Sequence, residues 1–234
     1  MNMIDFLILL VLFVSAAFAV YRGFVASALG LAACLLSLAA AFLAGPRLAA
    51  ALSQNQGLTE LLATYTDAGS LVGDYSLSIT KVNTISKLAV EAVLKSVGLP
   101  AMMQSILQSN LTAAAFSQAG LTTVNQYVSA TIVQVILRIG CFVLCFFLCT
   151  LALHALINLF NHVFYFSMLR HLDTPAAILC GLLRGIMMLY ILFLLIPLVR
   201  TVIPLDLAEQ YINESVFSGL LTSEKLFLRI AAGG

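Results

Sequence analysis

An all-α membrane protein, with four transmembrane helices in two hairpins and further amphipathic helices outside the bilayer, is the fold class the sequence predicts. Three observations carry that expectation. Of 234 residues 62% are hydrophobic and only 9% charged, against about 25% charged in a soluble domain. The few charges are spaced so that uncharged gaps of about 20 residues, the length of a membrane span, open between them. The polar stretches that separate these gaps keep a helical rhythm. A net charge of +1 gives no basic field for nucleic acid, so the partner this composition demands is the lipid bilayer.

The first span lies between Asp5 and Arg22, sixteen residues without a charge. Ala17-Phe18-Ala19 has the small-residue pattern of a signal-peptide cleavage site, but the segment before it carries Asp5 and no Lys or Arg, so a retained helix is expected. Twenty-four uncharged residues follow between Arg22 and Arg47 and form the second span, joined to the first by a very short turn. The apolar run that resumes near Ile132 passes Arg138 and gives a third span from about Gly140 to Phe160. The fourth lies between Asp173 and Arg200, interrupted by Arg184. The expected organisation is a first hairpin over 1–45, an outer helical region over 46–126, a second hairpin over 127–204 and an amphipathic tail over 205–234.

Orientation follows from cations in short loops. Arg22 in the first hairpin turn and Arg170 in the second place both turns in the cytoplasm, with both termini and the 46–126 region outside. In that region Ile85 to Val97 is the clearest helix. Lys87, Glu91 and Lys95 recur at i, i+4 and i+8, opposite Ile85, Leu88, Ala89, Ala92 and Val93, and Gly98 and Pro100 end it. It reads as a surface helix packed on its neighbours or as one lying at the membrane interface. Leu58 to Tyr65 and Ala101 to Gln108 look like shorter helices of the same kind. In the tail, Val216, Phe217, Leu220, Leu221, Phe227 and Ile230 alternate with Glu214, Glu224, Lys225 and Arg229.

Several patterns inside the apolar segments carry chemistry. Arg22-Gly23 and Arg184-Gly185 each open an apolar stretch that a proline closes, at Pro46 and Pro204; the first is uncharged and the second carries only Arg200. An Arg in hydrocarbon costs on the order of 2.5–3.5 kcal/mol on insertion scales, so both guanidinium groups are expected at the cytoplasmic interface, as topology anchors or as a functional charge site. Asp5 and Asp173 precede these pairs at helix starts, where a carboxylate caps free amides. Gly181 and Gly185 form a G-x-x-x-G step and Gly23, Ala26, Ser27 and Gly30 a second small-residue ridge, which predicts close packing of the second and fourth spans. Cys141, Cys145 and Cys149 line one stripe of the third span. A single ridge cannot surround a metal, so neither a metal site nor a cofactor is expected. His154, Asn158 and His162 form a second stripe. It is read either as a functional intramembrane site or as His154 and Asn158 bonding between helices with His162 at the surface.

Asp5, sixteen residues, Arg22-Gly23-Phe24, then Asp173, ten residues and Arg184-Gly185 with Gly181 four residues before the last glycine, resembles the colicin V production protein (CvpA) family. The resemblance covers the two hairpins, about half the chain. The chain departs from the family pattern at Thr174, where members carry Arg, and at Ala177, where they carry Gly. The resemblance implies a four-helix protein of the bacterial cytoplasmic membrane, needed for toxin production or envelope robustness and without an established biochemical activity. In some relatives a similar module is joined to an exported protease, whose residues are not found here.

No Gly-rich phosphate loop, H-E-x-x-H, C-x-x-C or G-x-S-x-G pattern occurs in the sequence. The expected function is therefore a non-enzymatic interaction or assembly factor that holds the outer helices at the membrane to meet envelope or export proteins. The alternative is an oligomeric small transporter or channel with a path along His154, Asn158, Arg138 and Arg184.

Overall fold

The structure, a computed structural model, describes residues 2–66, 71–161, 173–202, 215, 217 and 224–232. Arg170, His162, the side chain of Asp173 and most of the tail, including Glu214, Val216, Leu220 and Leu221, lie outside the described residues. Among the described residues the chain is all α, with no strand and one isolated bridge, Lys81 to Thr123. The helices are α1 (Met3–Arg22), α2 (Phe24–Ser53), α3 (Gln56–Tyr65), α4 (Tyr75–Ser78), α5 (Lys87–Val97), α6 (Ala101–Thr112), α7 (Val124–Asn161), α8 (Asp173–Phe193), α9 (Ile196–Val202) and α10 (Glu224–Ala232). Four of them, α1, α2, α7 and α8 with its extension to Val199, are long and apolar enough to cross a membrane.

Local chemistry sets their ends. Asn2 caps α1 through its side-chain carbonyl, which accepts from the Met3 amide at 2.6 Å, and Asp5 reaches back to the Asn2 amide at 3.0 Å. This is a capping box, and it starts the helix ahead of the aspartate. Gly23 ends α1 with φ +83°, a value that costs an L side chain but not glycine. α2 then begins at the next residue, and the Ser27 hydroxyl donates back to the Ala19 carbonyl at 3.0 Å.

The two expected proline stops fall differently. Pro46 lies inside α2, which continues to Ser53; proline removes one ladder hydrogen bond, and the Leu- and Ala-rich turns beyond it still favour a helix. Pro204 lies outside the described residues. Arg184-Gly185 does not open a helix either but sits in the middle of α8. α2 has 30 residues and α7 has 38, about 45 and 57 Å at 1.5 Å per residue. Both exceed the roughly 30 Å hydrocarbon layer, so the helix that contains the third span begins at Val124, well before Gly140.

The chain forms two compact units, divided within α2 between Gly45 and Pro46 and within α7 between Cys141 and Phe142. In the first unit α1 and α8 pack along their length in opposite directions. Ile8 is buried with Leu189, and the Ser15 hydroxyl donates to the Gly181 carbonyl at 2.8 Å. α2 and α7 are likewise antiparallel, with Phe42 edge-on to Phe142 at 5.0 Å and Gly30 facing His154. Gly181 and Gly185 therefore serve the contact of the first and fourth spans, not of the second and fourth. A Cβ on Gly181 would stand 2.5 Å from Ala19 Cβ and 2.8 Å from the Ser15 carbonyl oxygen. Small residues are needed on the two helices that touch, and Ala16 and Ala19 of α1 supply the matching groove.

The second unit has its own core, in which Val93, Met103, Leu107, Tyr127, Ile132 and Phe227 are fully or almost fully buried. The Val82 amide donates to the Thr122 carbonyl at 2.9 Å and the Val124 amide to the Thr80 carbonyl at 3.0 Å, which ties the α4–α5 connection to the start of α7. Asn110 Nδ2 of α6 donates to Thr131 Oγ1 of α7 at 3.0 Å. α5 is capped by Ser86 and stopped by left-handed Gly98. Lys87, Glu91 and Lys95 are exposed, but the buried face is Val90, Val93 and Val97, and Leu88 and Ala92 are exposed instead of packed. The correction follows from the 100° step: valines at i, i+3 and i+7 form one stripe, and Leu88 lies off it. α6 extends to Thr112, one turn beyond the expected end.

Asp74 caps α4, accepting from the hydroxyl and the amide of Ser76 at 2.7 and 2.9 Å. The Ser76 hydroxyl bond, then the amide bond, hold its carboxyl below the usual carboxylate value. A lowered folded value means that the cap is present above the unfolded value and is lost as pH falls through the folded one. The Ser76 amide resonance is therefore expected to stay constant from neutral pH down to about 4 and to move only in stronger acid, as read by an NMR pH titration.

Candidate functional site

Two helical hairpins bring one level of the first unit together from four sides. α1 contributes Phe18, α2 Gly30, α7 His154 and α8 Arg184. A Cβ on Gly30 would lie 3.2 Å from Arg184 Nη1 and 3.7 Å from His154 Nε2, so two nitrogen-bearing side chains converge over a backbone kept bare by glycine. The Arg184 guanidinium carbon is 5.8 Å from the centroid of the Phe18 ring and that of Arg22 is 4.5 Å from the same ring. Both are within cation–π range. Arg22 thus brings a like charge to the same ring, and among the described residues neither guanidinium makes an ion pair.

His154 is held by its own helix. Its Nδ1 lies 2.8 Å from the Thr150 carbonyl oxygen, and because a carbonyl only accepts, Nδ1 carries the hydrogen of this bond. The expectation of His154 bonding between helices gives way to this i−4 bond, because a carbonyl of the preceding turn is within reach before any neighbouring helix is. Asn158, one turn on, is exposed. His162 and the side chain of Asp173 lie outside the described residues, although the backbone of Asp173 does start α8.

Beside this level a groove of about 630 Å³ runs between α1, α7 and α8. Its walls are apolar, from Leu10, Val14, Phe147 and Met188, and its polar groups are Ser15, Thr150, His154 and Arg184. Thr150 is buried and its hydroxyl oxygen has no hydrogen-bond partner. Thr150 and Phe18 are the participants the sequence did not single out. Thr150 sits four residues before His154 and so extends the His154–Asn158 stripe backwards; that spacing was the available signal.

Asp5 and Arg138 belong elsewhere. Asp5 is fully buried and, besides its role in the capping box, accepts from the Ser215 hydroxyl at 2.5 Å and the Phe217 amide at 3.3 Å. It therefore fastens part of the tail to the start of α1. Arg138, in the second unit, donates to the Ala231 carbonyl at 2.7 Å, one of the free carbonyls in the last turn of α10. Of the path along Arg138, His154, Asn158 and Arg184, Arg138 is engaged at the last turn of α10 and Asn158 is exposed. Arg138→Met keeps the aliphatic stem and removes the donor, and should loosen α10 by about 1–2 kcal/mol. Faster hydrogen exchange across 226–231 in detergent, with α1 unchanged, is the expected readout.

The cysteines are spread through the apolar segments. Cys34 and Cys141 are buried, Cys145, Cys149 and Cys180 are half-buried, and all five are free thiols. Among the described residues no group of three or more His, Cys, Asp or Glu side chains is placed to hold a metal ion. Comparison with protein-family models, with curated proteins and with solved structures gives no match.

Proposed function

We propose that this chain is a non-enzymatic assembly factor of the CvpA type in a bacterial cytoplasmic membrane, acting in toxin production or envelope homeostasis. The observation that carries the reading is the second unit. It has a complete core of its own, yet α5 turns Leu88, Glu91, Ala92 and Lys95 outward at i, i+3, i+4 and i+7, one face of the helix. Leu88 remains 79% exposed in a helix whose other side is well packed. An apolar residue framed by both signs of charge suits the groove or helix of a protein partner. The spacing of Asp5, Arg22-Gly23, Asp173 and Arg184-Gly185 supports the family assignment, and the cations of the two hairpin turns support a cytoplasmic location for those turns.

The test is photo-crosslinking from a benzoylphenylalanine at Ser86 in intact cells. An adduct with a second envelope protein that disappears in Leu88→Glu supports the assembly role. Adducts formed only between copies of this chain would replace it with an oligomer enclosing a path, the transporter reading.

A further inference from the structure

The groove of the first unit is polarised along the bundle axis. α1 and α7 run in the same direction, since each is antiparallel to α2: α1 through the Gly23 reversal, α7 through the Gly30–His154 and Phe42–Phe142 pairings. Phe18 lies five residues before Gly23 and His154 seven before the last residue of α7. The Arg184 backbone, eleven residues into α8, is about 16 Å in from the start of that helix, while the level reached by its guanidinium is about 7–10 Å in from the ends of α1 and α7 at 1.5 Å per residue. That is the depth at which the headgroup zone gives way to hydrocarbon, and where an Arg stem can carry its guanidinium toward phosphates. From there the walls continue to Leu10 and Phe147, about 10–12 Å deeper by the same rise, without another charge. Leu10, Val14, Phe18, Phe147 and Leu151 are all exposed along this face, so the groove is open to the bilayer.

Two guanidinium groups share the Phe18 ring with no carboxylate paired to either among the described residues. The Thr150 hydroxyl, on a residue only 6% exposed, lines the same groove without a hydrogen-bond partner. A guanidinium with no carboxylate partner among the described residues, reaching the headgroup end above an apolar slot, fits one class of occupant by charge and by shape; the Thr150 hydroxyl lies about 6 Å deeper along α7 than His154, inside the slot. We infer that this groove binds an anionic glycerophospholipid, its phosphate on Arg184 and one acyl chain along Val14, Leu10 and Phe147. Gly30 keeps the space above Arg184 clear, and Arg22 adds a second positive charge at the rim. The lipid supplies the anion that the described residues of the helices do not. This site is independent of the docking face on α5.

The chain contains no tryptophan, so Leu151→Trp gives a single indole reporter beside the groove, and Leu36→Trp, on exposed α2 surface, reports bulk lipid. The full chain is placed in phosphatidylcholine vesicles with a minor fraction of phosphatidylglycerol, and the bromines are carried on the acyl chains of one lipid or the other. Brominated phosphatidylglycerol should quench the groove reporter beyond its mole fraction, with a preference on the order of fivefold, the weight of one basic side chain against an anionic lipid. The α2 reporter should show no preference. In the Leu151→Trp background, Arg184→Gln should bring quenching to the bulk value and Arg184→Lys should keep part of the preference. Arg22→Gln, which removes the second positive charge at the rim, should lower it, and serves if Arg184→Gln does not insert. Equal quenching of the groove reporter by both brominated lipids, or a preference unchanged in Arg184→Gln and Arg22→Gln, would overturn the assignment. So would loss of the preference on addition of millimolar inorganic phosphate, which would make the site one for a free anion.

Discussion

Gly181→Leu is expected to separate α1 from α8 and leave the first unit unable to assemble. A single added Cβ would already meet the Ala19 side chain at 2.5 Å and the Ser15 carbonyl oxygen at 2.8 Å, and the latter belongs to helical backbone that cannot step aside. Gly181→Ala should therefore cost about 1–3 kcal/mol, the usual range for overpacking, and the branched side chain of leucine more. Gly185→Ala is the internal comparison. Its nearest atoms would be Leu12 Cδ2 and Ser15 Cβ at 3.1 Å, ends and stems of side chains that can adjust, so its effect should be smaller. In a cysteine-free background, Ile8→Cys and Leu189→Cys report the contact directly, because these two residues are buried together. Their oxidative crosslink should form in the parent and in Gly185→Ala and be lost in Gly181→Leu.

Asp5→Ala is expected to be the most damaging change to a charged residue of the first unit, by roughly 2–4 kcal/mol when the lost cap and the lost carboxylate hydrogen bonds are combined. The carboxylate is wholly buried and serves the Asn2 amide, the Ser215 hydroxyl and the Phe217 amide together. Removing it leaves Ser215, itself only 7% exposed, with a buried hydroxyl and no carboxylate. Asp5→Asn retains acceptor oxygen and should lose less. Thermal unfolding in detergent measures both. A double-mutant cycle with Ser215→Ala should show coupling of at least about 1 kcal/mol, since residues in one hydrogen-bond network do not add independently.

The spans were legible because nothing in an apolar helix hides its length: the charge-free gaps after Asp5 and Arg22 correspond to α1 and α2. What the sequence could not show was which faces meet. Glycine spacing identifies a surface for close approach but not the helix that fills it, and only the fit of Ala16 and Ala19 against Gly181 decides for α1. Helix extent was misjudged at Pro46 for the related reason that a proline's local cost is outweighed when the flanking turns favour helix. Arg184 looked like a helix start by analogy with Arg22-Gly23. The two differ because Gly23 has a positive φ, a backbone property that the identical dipeptide does not encode. Of the site, Arg22, Arg184 and His154 stood out as charged or ionisable groups in apolar surroundings. Thr150 did not, because a hydroxyl in an apolar helix ordinarily bonds its own backbone, and its missing partner is visible only in three dimensions.

The proposed topology, in which the helices cross the membrane as two hairpins, puts the α5 region and the first hairpin turn on opposite sides of the bilayer. Single cysteines at Leu88 and Tyr21, both strongly exposed, in an otherwise cysteine-free chain test it with a membrane-impermeant maleimide on intact cells. Labelling at Leu88→Cys, with Tyr21→Cys reacting only after the membrane is opened, is the predicted result. Labelling of both positions in intact cells, or of Tyr21→Cys alone, would contradict it.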